Sequence, residues 1–386
     1  MLSRRSRFVA TLAVAVLSLT AGCSFGPPGP DQAGSPPNLP RPSAAPTAGG
    51  DDGERQVAIT VLAKNLEIPW GIAFLPDGGA VVTERDTGRI LKVGPESTAS
   101  GLKVAELRRL NEVKAAGDGG LLGVAVSPDY KTDQTLYVYY STDRDNRIGK
   151  LAGDGALQPL LTGIPRSAEF NGGALAFGPD GFLYAGTGDA TPAGGQAPTA
   201  KSLAGKILRI TTAGKPAPGN PVKTSPVWSS GHRNVQGLAW DQAKRLYATD
   251  RGQPRNSELN VIVKGKNYGW PKADGAGADP KLTDPLASWP SDSSSCAGVG
   301  VLETMVATAC LLGEKMTLLT VTANGTVLGS AQELLAGEFG RLRALATAPD
   351  GSLWVSTSNQ EDAGDPGPED DRLIRLVLSD GGAGRS

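Results

Sequence analysis

Arg341 and Arg343, in "GEFGRLRALATAPDG", stand two positions apart, so on a strand both guanidiniums project from one face. Like charges held side by side repel unless an anion or carboxylates lie between them. Planar guanidinium forks grip carboxylates through paired hydrogen bonds, so the pair suits either a bound anionic ligand or the acidic residues of a neighbouring blade. A second set of candidate ligands lies in "TDRGQPRNSELNVIVKGKNYGWP", where Asp250, Glu258 and Asn260 sit among turn residues. Their oxygens, with the main-chain carbonyls of Gly252 and Gln253, suit Ca2+, a hard cation that takes about six to eight oxygens. The same stretch also reads as a solvated loop that needs no ion. The acidic run "NQEDAGDPGPEDD" near the C-terminus reads as a solvated loop as well.

His232, within "SSGHRNVQGLAW", is the one histidine of the chain. A Ser-His-Asp triad would have to use it, and a multi-histidine metal site is excluded. Its plainer reading is a ring that hydrogen-bonds to hold a loop. The sequence has no Walker loop, G-x-S-x-G elbow, H-E-x-x-H, Rossmann glycine pattern or EF-hand loop, which removes several large enzyme classes. The stretch "SAEFNGGALAFGPDGFLYAGTGDA" opens with Glu169 and Phe170 ahead of Gly172 and Gly173. Two residues without a Cβ let backbone or ligand come close, so this opening is either the floor of a site or a bend.

The elements that must position these residues repeat along the chain. "IAFLPDGGAVVTERDTGRILKV", "VAVSPDYKTDQTLYVYYS", "LAFGPDGFLYAGTGDA", "LAWDQAKRLYATDRG" and "LATAPDGSLWVSTSN" each hold an apolar strand, a turn centred on Pro-Asp-Gly or an equivalent, and a second strand. Proline presets φ at the turn and glycine supplies positive φ, so these are β-hairpins. Pro76, Pro128 and Pro179 recur about every fifty residues, the size of one four-stranded propeller blade. About 325 residues from Gln56 onward therefore predict an all-β, six-bladed β-propeller over residues 56–380. The repeats are less regular between Trp240 and Pro349, which leaves five or seven blades open, and a β-sandwich explains the hairpins but not the period. "AKSLAGKILRI" reads as a short turn running into a strand, and "AQELLAGEFG" as a helical turn before the last blade.

The N-terminus carries Arg4, Arg5 and Arg7, then the apolar run "FVATLAVAVLSL", then "TAGC" ending at Cys23. The run is too short to span a bilayer and reads as an export signal, residues 1–23. Because Cys23 would become the first mature residue, the pattern resembles a bacterial lipoprotein signal with diacylglycerol on the cysteine sulfur. The alternative is an ordinary secretory signal with an incidental cysteine. Residues 24–55, rich in Pro, Gly, Ala and Ser, read as a tether reaching up to about 90 Å in extended form. Residues 381–386 read as a disordered tail. Of the three cysteines, Cys23 goes to lipid, leaving Cys296 and Cys310 to pair in an oxidising compartment. A net charge of -1 leaves no electrostatic footprint for nucleic acid.

Seven stretches in order, "PWGIAFLPDGGAVVTERDTGRI", "GDGGLLGVAVSPDY", "NGGALAFGPDGFLYAGTGDA", "SLAGKILRI", "GHRNVQGLAW", "ELNVIVKGKNYGWP" and "GRLRALATAPDGSLWV", resemble the soluble PQQ-dependent sugar dehydrogenases, the glucose/sorbosone dehydrogenase family of six-bladed propellers. With the signal and the paired cysteines, the chain looks closest to an actinobacterial lipoprotein branch, the LppZ-like proteins. The resemblance implies PQQ and Ca2+ as cofactors. It places Asn234, Arg341 and Arg343 among cofactor-contacting residues, Asp118 where a Gln or Glu contacts the site, and the carbonyls of Gly252 and Gln253 on the calcium. In catalytic members a histidine at the position of Phe170 takes the proton from the sugar C1 hydroxyl; a phenyl ring cannot. Glu169 matches an acidic neighbour and is the candidate stand-in base, although adjacent residues on a strand face opposite ways. A basic residue expected after Cys310 is Leu312. These readings lead to a lipid-anchored envelope protein with reduced or no catalysis, serving to bind an envelope glycan or protein. Two alternatives remain: an active PQQ- and Ca-dependent aldose dehydrogenase, and a calcium-assisted lactonase on the same fold.

Overall fold

The computed structural model describes residues 56–191, 195–252, 256–273, 275–277, 279–290, 293–361 and 364–379. The signal, Cys23, the tether, Gln253 and the tail from 381 lie outside the described residues. From Gln56 on, strands follow one another in hairpins. The first is β1 (Gln56–Ala63), and blade one is β2 (Pro69–Phe74), β3 (Ala80–Glu84), β4 (Arg89–Thr98) and β5 (Gly101–Arg109). Blade two is β6 (Leu121–Val126), β7 (Thr135–Ser141), β8 (Asn146–Ala152) and β9 (Gln158–Ile164). Blade three is β10 (Gly172–Phe177), β11 (Leu183–Thr187), β12 (Lys206–Ile210) and β13 (Val227–Ser230). Blade four is β14 (Val235–Trp240), β15 (Leu246–Asp250), β16 (Ser257–Ile262) and β17 (Ala287–Trp289). Blade five is β18 (Cys296–Leu302), β19 (Met305–Cys310), β20 (Lys315–Val321) and β21 (Val327–Leu334). Blade six is β22 (Leu342–Thr347), β23 (Leu353–Thr357) and β24 (Leu373–Ser379), completed at its outer edge by β1. The result is a six-bladed propeller of four-stranded antiparallel sheets, and the five- and seven-blade counts fall away.

The repeated turns close in one way. The N–H of Leu75, Gly178 and Ala348 donates to the carbonyl four residues on, with Gly78, Gly181 and Gly351 at positive φ. In the fourth repeat Lys244 takes the left-handed position at φ 63, and Asp241 N–H donates to Arg245. Only the second repeat differs, its turn enlarged by a single helical turn, α1 (Tyr130–Asp133).

The irregular stretch of the sequence is blade five. Cys296 and Cys310 face each other across β18 and β19 and are bonded, which pins the register of that hairpin. "AQEL" is not helical: it ends β21, with Gln332, Glu333 and Leu334 opposite Leu318, Thr317 and Met316. Ladder hydrogen bonds to β20 override the helix preference of Ala, Gln, Glu and Leu on this exposed edge.

Six inner strands crowd around one axis, and each carries a register shift where it starts. A Cβ added at Gly123 would lie 2.2 Å from the Gly173 carbonyl oxygen, and one at Gly298 would lie 2.4 Å from the Leu345 nitrogen. Glycine is required there because neighbouring backbones touch. Hydroxyls on the second strands then staple blade to blade: Thr83 donates to the Leu122 carbonyl at 2.5 Å, Thr249 to Ala297, and Ser356 to Pro69 at 2.9 Å. Further out, edge-to-face rings join the sheets, Tyr137 on Phe177 at 5.2 Å and Phe74 on Trp354 at 5.1 Å. Gly123→Ala should therefore destabilise the propeller by about 1–3 kcal/mol, the usual cost of overpacking, read as a lowered midpoint in denaturant unfolding. An unchanged midpoint would mean that the inner strands have room to spare.

Candidate functional site

Inner strands run away from one end of the channel and their second strands return to it. Residues just before β6, β10, β14 and β22, and just after β3, β11, β15 and β23, therefore converge on one mouth. The channel below encloses about 410 Å3 and is lined by the inner strands of all six blades.

Arg341 and Arg343, read from the sequence as gripping a bound anion or the acidic residues of a neighbouring blade, meet on one carboxylate. Both reach Glu361: Arg341 Nη2 lies 3.1 Å from Oε2, and Arg343 Nη2 bonds Oε1. The carboxylate comes from the β23–β24 loop of the same blade, not from a neighbouring one. Arg85, from the loop after β3, adds a third contact, its Nη1 2.6 Å from Oε1. Burial alone would push the Glu361 carboxyl up, but Arg343, Arg85 and Arg251 together hold it far below the ordinary carboxylate range. The acidic run read as a solvated loop thus contributes a buried anchor. Asp371, fully buried at its far end, accepts hydrogen bonds from the N–H groups of Ile68 and Asn359.

Asp118 belongs to the same cluster, 3.7 Å from Arg251 Nη1. Arg251 Nε donates to Ser295 Oγ at 2.8 Å. Burial pulls the Arg251 guanidinium down, Asp118 opposes this, and Arg343 and Arg341 add to the lowering. Among the described residues, the guanidiniums of Arg85, Arg251, Arg341 and Arg343 face the carboxylates of Glu361, Asp118 and the half-exposed Asp86. Arg341 Nε is buried without a hydrogen-bond acceptor among the described residues.

The stretch that begins at Glu169 forms the wall beside this cluster. Phe170 is buried and takes φ 59, a left-handed conformation that costs a non-glycine residue about 1–2 kcal/mol. It is held there by its carbonyl, which accepts from Ala190 N–H at 3.1 Å, and by Gly188, where a Cβ would lie 1.7 Å from the same oxygen. The Arg233 guanidinium lies over the Phe170 ring at 4.5 Å and over the Trp270 ring at 4.6 Å. Trp270 Nε1 donates to Asp189 at 2.9 Å. Asn234 Oδ1 accepts from Gly172 N–H at 2.8 Å, while its buried Nδ2 has no acceptor among the described residues. Glu169 is exposed to solvent, with no side-chain partner among the described residues, so as a stand-in base it is not brought to the cluster. His232 holds a loop: Nε2 pairs with Ser229 Oγ at 2.8 Å and the ring stacks on Tyr268.

Two carboxylates of the oxygen set expected for calcium accept hydrogen bonds from their surroundings, while Asn260 Oδ1 is buried without a partner among the described residues. Asp250 accepts from the N–H groups of Arg233 and Asn234, and Glu258 accepts from Gly275 N–H and Asn260 Nδ2. Asp250, Gly252 and Glu258 do share the lining of a void of about 20 Å3, and Gln253 lies outside the described residues. Leu312 sits in the turn after β19 rather than on a strand. Sequence reasoning passed over Arg85, Arg251 and Asp189, although a signal was there. Each follows by two positions a buried threonine at the end of a second strand, Thr83, Thr249 or Thr187, and so must emerge at the mouth.

The chain is thus a six-bladed propeller with a buried arginine cluster at one channel mouth, and comparison gives its family. The family model for glucose/sorbosone dehydrogenases matches residues 66–364, and the chain belongs to that family. It is similar to the PQQ-bound form of an aldose sugar dehydrogenase from Streptomyces coelicolor, with 41% identity and a TM-score of 0.80, covering 87% of this chain and 100% of that one. The aldose sugar dehydrogenase YliI of Escherichia coli is 30% identical over 78% of this chain and 90% of its own length. Quinoprotein glucose dehydrogenase B of Acinetobacter calcoaceticus is 33% identical over 56% of this chain, a match that spans about half (52%) of that enzyme.

Glu361→Gln leaves three buried guanidiniums without their shared counter-charge, a change that costs about 3–5 kcal/mol in buried pairs. Because the folded pKa is depressed, the stabilisation is complete above the unfolded value of about 4.3 and is lost as pH falls toward the folded one. Denaturant unfolding should show the variant several kcal/mol weaker at pH 7, with the gap narrowing below about pH 4.

Proposed function

We propose that this chain is an exported propeller, tethered to the outer face of the cell membrane through lipid on Cys23. In this reading it keeps the anion-gripping mouth of its family and has reduced or lost the sugar-oxidising step. The observation that carries the reading is Phe170, buried under Arg233 at the position where the resemblance puts a proton-accepting histidine.

The residues present fit the anionic part of PQQ, a tricarboxylate. Arg341 and Arg343 can grip its carboxylates, and the orphaned Arg341 Nε and Asn234 Nδ2 lack only acceptors. When bound, PQQ supplies a quinone that takes up hydride from the C1 of a sugar. The Gly252 carbonyl is the described residue that would face its calcium. At the family's base position this chain offers no proton acceptor. Phe170 has no atom to accept a proton, Glu169 faces solvent, and a missing general base costs about 10²- to 10⁴-fold in rate. Binding of an envelope glycan or protein then becomes the working role. A second reading, an active PQQ- and Ca-dependent aldose dehydrogenase, is favoured by the 41% identity to the Streptomyces enzyme over that enzyme's whole length.

Dye-linked aldose oxidation by the full chain with PQQ and Ca2+ separates the two. Phe170→His should raise the rate about 100-fold or more over the native protein. A native rate equal to that of the variant would instead establish the dehydrogenase. Replacing Cys23 with Ser should release the chain from the membrane fraction, and retention of that variant there would rule out the anchor.

A further inference from the structure

A cleft of about 760 Å3 opens between the outer edge of blade three and the β16–β17 connection of blade four, a volume within the range of about 300–1,000 Å3 typical of small-molecule sites. Its wall is held by main-chain hydrogen bonds: Gly265 and Tyr268 donate to the carbonyls of Trp228 and Ser230, while Ser230 and Trp270 donate to Lys266 and Gly231. Trp228, Trp270, Pro221, Val222 and Leu282 supply apolar surface. Lys206, Lys266, Lys272 and Lys281 supply charge, against a single lining carboxylate, Asp279, which leaves three positive charges in excess among the described lining residues.

Lys206 sets this cleft apart from an ordinary basic surface. It is 2% exposed, and its Nζ donates to the carbonyls of Ala197 and, at 2.8 Å, Ala204. An ammonium has three donors, so one remains unused, and no carboxylate lies within ion-pair distance among the described residues. Burial pulls the group down to about 8, with Asp189 opposing from a distance. A buried cation without a direct counter-ion is costly, and an anion in the cleft would provide both the missing acceptor and the missing charge.

We propose that this cleft binds an anionic saccharide, with pyranose faces against Trp228 and Trp270 and a carboxylate or phosphate at Lys206 and the rim lysines. The apolar walls argue against a bare inorganic ion, and the surplus charge argues against a neutral sugar. Trp270 serves both sites, since it lines the cleft and also covers Arg233 at the mouth. The assignment rests on the binding role given above and names the class of glycan; the test omits quinone, so that the two fail separately.

Calorimetric titration of the full chain with trigalacturonate, glucose 6-phosphate and neutral maltotriose tests the assignment. At least one acid should bind at least tenfold more tightly than maltotriose and weaken with salt. The tighter of the two identifies carboxylate or phosphate as the recognised group. The double variant Lys272→Glu/Lys281→Glu changes exposed side chains only, and it should keep the native melting temperature while losing affinity tenfold or more. Absence of binding by either acid, equal binding of maltotriose, or an affinity unmoved by the charge reversal would overturn the proposal.

Discussion

A ring of blades holds only if its first and last members are joined, and here that seam is also the floor of the functional mouth. β1 pairs with β24 from Gln56 opposite Ser379 to Val61 opposite Ile374, and after a register shift Ala63 stands opposite Leu373. Ser356 donates to Pro69, the Ile68 N–H donates to Asp371, and Arg85 reaches across to Glu361. These contacts join residues nearly three hundred positions apart. They close the largest loop in the chain, so their formation carries a large entropic cost that local hairpins do not face.

Glu361 couples closure to chemistry. It belongs to blade six, yet it neutralises an arginine of blade one as well as the pair on its own blade. Without it, the guanidiniums of Arg85, Arg341 and Arg343 would lose the carboxylate they share. With it, the arginines are held in fixed rotamers before any ligand arrives, and preorganised donors bind an anion without the cost of ordering long side chains. A carboxylate ligand must then share or displace Glu361, which sets a threshold on how strongly it has to bind.

The architecture was legible because its cause is local. Each Pro-Asp-Gly turn and each alternating strand pair declares itself within fifteen residues, and the fifty-residue period then fixes the blade size. Blade five hid because its hairpin turns at Glu303 with φ 45 rather than at Pro-Asp-Gly, and because the exposed edge strand β21 reads by composition as helix. At the mouth, the spacing of Arg341 and Arg343 revealed a shared partner but not its identity. Glu361 lay within an acidic run whose composition looks solvated, and only the return of β23 to the mouth turns it inward. Nor could spacing show that Phe170 would be buried under Arg233 while Glu169, one residue earlier, is left in solvent.

The proposed role requires that the arginine mouth still grip a polyanionic cofactor although Phe170 stands where the resemblance puts the proton acceptor. Calorimetric titration of PQQ into the full chain, with and without Ca2+, tests that claim most directly. Micromolar or tighter binding that falls at least tenfold in Arg343→Ala is the predicted result. No heat at high micromolar PQQ, or binding indifferent to Arg343, would contradict it.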